Sequence, residues 1–157
     1  MSSRLDLSTS SRVLIGLVAS LLWANQAIAQ PDALCSADLM KAYKIHIPHA
    51  EFYRSDVPAK PSQILCESVY RIPGKYARYA ESVLVRRFGM GKLRFACCGW
   101  FPGRGKRGAA DGTFRHSHLM SNGAYAAYGI SMSSEETLEK QWDRIEYFYI
   151  TLTIYEI

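Results

Sequence analysis

RIEYFYITLTIYEI, residues 144–157, decides the fold. Phe148, Ile150, Leu152 and Ile154 recur at every second position, and Tyr147, Tyr149, Thr151, Thr153 and Tyr155 fill the alternate ones. Side chains along a strand point alternately to the two faces of its sheet. The stretch therefore predicts a long strand with one dry face and one partly wet face.

A dry face needs a cover. PGKYARYAESVLVRRFGMG (73–91) supplies one, because Ala77, Ala80, Leu84 and Phe88 form an apolar stripe at helical spacing. Lys75, Arg78, Ser82 and Arg86 lie on the other side, and Gly89 and Gly91 stop the helix. AEFYRS (50–55) and QILCESVYRI (63–72) read as two strands of a hairpin joined through VPAKP (57–61), a turn or loop with two prolines. KLRFACCGW (92–100) reads as a third strand and AYAAYGISM (124–132) as a fourth. Between them, Gly99 to Gly123 reads as a long, glycine-rich, basic connection. CSADLMKAYKI (35–45) is expected to form a short helix capped by Ser36, with Cys35, Leu39 and Ala42 on one face. SSEETLEKQW (133–142) has capping-box spacing at Ser133 and Glu136 and is expected to form another. The order αββαββαβ predicts an α+β fold: a two-layer sandwich of a mainly antiparallel sheet, four to five strands, with two to three helices on one face.

The first residues read as an address. Arg4 and Arg12 precede the apolar run VLIGLVASLLW (13–23), and AIA (27–29) matches a small-residue cleavage pattern. Residues 1–29 are expected to be a signal peptide and residues 30–157 a single exported domain, periplasmic or extracellular. No later run is long enough to cross a membrane. The formal charge of +5 permits contact with an acidic surface without requiring one.

All four cysteines, Cys35, Cys66, Cys97 and Cys98, follow the cleavage pattern, and an even number in an exported chain favours disulfides. Read as strand neighbours, Cys97 and Cys98 point to opposite faces. With Cys97 in phase with Leu93 and Phe95, and so facing the helices, the expected staples are Cys35–Cys97 and Cys66–Cys98. The alternative is a vicinal bridge. Adjacent Cα atoms lie about 3.8 Å apart, closer than the roughly 4.4–6.8 Å of a relaxed disulfide, so such a bridge would be strained and reducible.

RIPGKYARYAESVLVRRFGMGKLRFACCGW, followed by ISMSSEETL and IEYFYITLTIYEI, resembles a family of small exported bacterial proteins catalogued as a domain of unknown function. The segment C-C-G-W after G-M-G-K-L is the most specific part of the likeness. The resemblance implies the fold and the export, and it implies no activity. It also implies a cysteine after the first strand, near Ser55, where this chain has none. Cys66 lies across the predicted hairpin from that position.

Three places carry candidate function. Arg104, Lys106, Arg107 and Arg115 crowd the glycine-rich connection and would grip an acidic partner. Trp100 and Phe101 beside it serve either as interface anchors or as packing beneath the loop. Tyr147 and Tyr149 offer a second binding surface on the wet sheet face. His116 and His118, spaced to share a strand face, are the alternative: a metal site or a histidine-dependent hydrolase or nuclease. No G-x-S-x-G or H-E-x-x-H motif is present. The expectation is a small exported binding module, inhibitor- or immunity-like, without a cofactor. Its partner would be an envelope or secreted protein with an acidic surface, not a nucleic acid.

Overall fold

A computed structural model describes residues 38–58, 62–105, 108–120 and 122–157. The expected signal peptide, Cys35, Ser36, most of the VPAKP turn, Lys106 and Arg107 lie outside the described residues.

Chain order begins with α1 (Leu39–Ala42), β1 (Glu51–Asp56), β2 (Ile64–Pro73) and α2 (Gly74–Val83), which runs on into a π-helical turn, Leu84–Phe88. The hairpin strands β3 (Leu93–Ala96) and β4 (Gly99–Pro102) follow, then β5 (Gly112–Leu119), β6 (Tyr125–Ser134), a 3-10 turn at Trp142–Arg144, and β7 (Tyr147–Glu156). β1, β2, β7, β6 and β5 form an antiparallel sheet in that order, and β3 pairs with β4 alone. The fold is α+β and mostly antiparallel, with one main helix where two to three were expected.

β7 sits at the centre of the sheet, and its alternation is the core. Phe148, Ile150 and Leu152 are fully buried and Ile154 nearly so. They continue across β2 through Cys66, Tyr70 and Ile72, and across β6 through Tyr128, Ile130 and Met132. The expected helical stripe closes this face: Ala77, Ala80 and Leu84 are buried, and Phe88 packs at its margin. Gly89, in the left-handed region at φ 77°, ends the π-helical turn and donates its N–H to Leu84 O. α1 is fastened from below. Asp38, rather than Ser36, caps it by accepting from Lys41 N–H, and the Tyr70 hydroxyl donates to Asp38 Oδ1 at 2.6 Å while accepting from Met40 N–H at 2.8 Å.

Three expectations are corrected. KLRFACCGW is not one strand: it folds back on itself, and Cys97 and Cys98 are its two-residue turn. Cys97 takes φ 54°, the positive value that tight hairpin turns demand, and it is exposed instead of facing the helices. The stretch Gly99–Gly123 is not a bare connection, since it contains β4 and β5. SSEETLEKQW is not a helix. Ser133 and Ser134 end β6, Thr137 N–H donates to Cys98 O at 2.7 Å, and the segment is pinned as an extended support for the hairpin. Trp100 tightens that support, with its backbone N–H on Ser134 Oγ and its ring 5.0 Å from Trp142.

Candidate functional site

The glycines between Met90 and Thr113 explain where the site forms. Gly91 N–H donates to Ala110 O at 2.9 Å, and a Cβ on Gly91 would stand 1.9 Å from Gly103 O. A Cβ on Gly112 would stand 2.7 Å from Phe88 O. Backbone therefore rests directly on backbone where the segment after β4 crosses the end of the helix. The glycines serve this close approach, and the described residues on both sides of it are seated on the helix end.

That crossing delivers β5 to the helix end as the edge strand of the sheet. β5 is irregular: its register shifts between Thr113 and Arg115, and again between Arg115 and His118. Bulges re-aim side chains. Here consecutive residues Phe114 and Arg115 both address Tyr128 and Tyr43. Phe114 makes edge contacts at 5.3 and 5.2 Å, and the Arg115 guanidinium lies 5.4 and 5.5 Å from the two ring centres. The guanidinium thus lies within cation–π reach of two tyrosine rings.

Between β5 and the π-helical turn lies a cleft of about 420 Å³. Arg87 enters it from the π turn, Arg115 and His116 from β5, and Asp111 and Thr113 from the strand's start. Asp111 is the one carboxyl among these lining residues, and burial raises its pKa above the ordinary aspartate value. The π turn matters, because it gives Arg87 a position outside regular α-helical spacing. Such turns recur at functional sites. The cleft lining thus carries two guanidiniums, an imidazole and a single carboxyl. Arginine forks match carboxylates with paired, charge-assisted hydrogen bonds.

The other expected residues are distributed. Arg104 is exposed on the segment that crosses the helix end. His118 does not face the cleft with His116: its Nδ1 lies 3.1 Å from the Tyr128 hydroxyl, and the two rings stack. Among the described residues, no group of three or more His, Cys, Asp or Glu side chains is arranged to hold a metal ion. Trp100 is half-buried against Trp142 and Phe95, so it packs the hairpin down; Phe101 remains exposed. Tyr147 and Tyr149 lie on the opposite sheet face. There the Arg71 guanidinium sits 5.1 Å over Tyr147, and Tyr53 leans on Tyr149 at 5.9 Å. Burial raises the pKa of Tyr149, with Glu135 adding to it. The structure thus brings Arg115 and His116 together and adds Arg87, Asp111 and Thr113, which the sequence reading missed. Arg87 belongs to no motif in the sequence and is not among the residues read as the helix's outer face. The signal that could have found it is the doubled basic pair Arg86–Arg87 just before the Gly89 stop.

A second hollow of about 280 Å³ lies by α1, lined by Asp38, Lys41, His46, His49 and Tyr70 among others. His49 is held there by stacking on Tyr76, with ring centres 3.7 Å apart.

Among the described residues, no helix is long and apolar enough to cross a membrane. Residues 25–100 match a family model described as a domain of unknown function (DUF4952). The match ends at Trp100, within β4, so the cleft strand β5 lies beyond it. No curated protein and no solved structure matches the chain.

Proposed function

We propose that the protein is an exported binding module, inhibitor- or immunity-like, that holds an acidic segment of a partner protein in the cleft between the π-helical turn and β5. One observation carries this reading. Arg115, braced on Tyr43 and Tyr128, and Arg87, set by the π turn, line the same cleft with His116. Bracing lowers the ordering cost of binding, because the guanidinium is held in place before a carboxylate arrives. Arg104 is exposed on the segment that leads to Asp111, and Lys106 and Arg107 follow it in sequence; positive charge of this kind speeds encounter with an acidic partner and makes it salt-sensitive.

The test is capture of the partner by the purified domain at low and high salt, comparing wild type with Arg87→Ser/Arg115→Ser and with Arg104→Ser/Lys106→Ser/Arg107→Ser. A charge-assisted hydrogen bond contributes about 1.5 kcal/mol or more, so each cleft arginine should account for about tenfold in affinity. The Arg104/Lys106/Arg107 variant should bind more weakly at low salt and little differently at high salt. Unchanged capture by the cleft double variant would overturn the proposal. A hydrolytic activity that disappears in His116→Ala would replace it with the enzymatic reading.

A further inference from the structure

The hairpin tip is a second site with different chemistry. Cys97 and Cys98 occupy both positions of the β3–β4 turn, with their sulfur atoms 3.0 Å apart. In the structure neither thiol belongs to a disulfide. The turn is fixed from two sides: the Thr137 N–H on the Cys98 carbonyl, and the Glu81 carboxylate accepting from Leu93 N–H at 2.7 Å at the base of β3. Cys97 is exposed at the tip and Cys98 is partly covered. The Cys98 thiol is pushed up to about 11, first by the hydrogen bond it shares with Cys97, with the nearby Glu136 carboxylate contributing.

We propose that Cys97 and Cys98 form a reversible dithiol–disulfide couple that exchanges with low-molecular-weight disulfides. The exposed Cys97 attacks as the thiolate. Its sulfur bonds to one sulfur of the incoming disulfide, whose S–S bond breaks and releases one thiol. Cys98 then gives up its proton and attacks the Cys97 sulfur, releasing the second thiol and closing the ring. Two electrons pass from the cysteine pair to the reagent, and the two cysteine protons end on the two released thiols. Closure needs little movement, because the turn already holds the sulfurs side by side. The ring spans adjacent Cα atoms, about 3.8 Å apart against the roughly 4.4–6.8 Å preferred, so it reopens easily. Strained, exposed disulfides are the labile ones.

Trypsin cuts after Arg94 and Arg104, so one peptide, Phe95–Arg104, carries both cysteines. The experiment equilibrates the full chain in graded mixtures of reduced and oxidised glutathione, blocks free thiols by alkylation, and weighs this peptide. The expected result is a peptide with two alkyl groups under reducing conditions. Under oxidising conditions it should carry none and lack two hydrogens, and dithiothreitol should reverse the change. The Cys98→Ser variant should stop at glutathione bound to Cys97. Dialkylation at every mixture, recovery of the peptide cross-linked to Cys35 or Cys66, or no glutathione adduct in Cys98→Ser would each overturn the proposal. None of these outcomes depends on the cleft.

Discussion

Replacing Phe148 with alanine should lower the unfolding free energy by about 3–5 kcal/mol, the range for deleting a large buried aromatic side chain. Phe148 has no exposed surface and lies on the dry face of β7, the central strand. Its ring packs 4.9 Å from Trp142, and its strand partner on β2 is the fully buried Ile72. The surroundings cannot collapse into the vacancy. β2 and β6 are hydrogen-bonded along both sides of β7, and Trp142 is itself wedged between Trp100 and the Arg78 guanidinium. Urea denaturation followed by far-ultraviolet circular dichroism measures the loss. Tyr147→Ala, one residue earlier on the half-exposed face, should cost far less. Equal losses in the two variants would show that β7 does not divide the molecule into a core side and a solvent side.

Gly91→Ala should destabilise the domain by about 1–3 kcal/mol, the usual cost of forcing an extra methyl into a packed site, and should impair the cleft as well. The new Cβ would stand 1.9 Å from Gly103 O and 2.6 Å from Gly103 C, and both are backbone atoms that no rotamer change can move. The segment after β4 must lift off the helix end, straining the Gly91 N–H bond to Ala110 O that sets the start of β5. Asp111, Thr113, Arg115 and His116 all follow that anchor. Thermal melting would read the first effect and partner capture the second. A variant with wild-type melting and binding would mean that the segment is not seated by this contact.

The particular residues show what a sequence makes legible. β7 could be read because its period of two persists over ten residues, and the α2 stripe because every member is apolar on one face. Both signals are local. The β3–β4 hairpin was hidden because its turn is Cys97–Cys98 and not a glycine or asparagine pair. KLRFACCGW (92–100) therefore reads as one unbroken strand. β5 was hidden because GTFRHSHL is an edge strand with two register shifts, which breaks the alternation that would have betrayed it. The expected helix at 133–142 failed for a tertiary reason: its start is held extended by β6 and by the hairpin tip. The cleft was half legible. Arg115 and His116 stood out as polar residues in a glycine-rich stretch, whereas Arg87 joins them only because the chain crosses the helix end.

The most direct measurement of the binding claim is a nuclear magnetic resonance titration of the ¹⁵N-labelled domain with a short polyglutamate peptide at low salt. The cleft account predicts shifts concentrated at the amides of Phe88, Gly89, Ala109, Thr113 and His116, fading as salt is raised and absent in Arg87→Ser/Arg115→Ser. Shifts centred instead on Tyr53, Tyr147 and Tyr149, or no shifts at any peptide concentration, would contradict it.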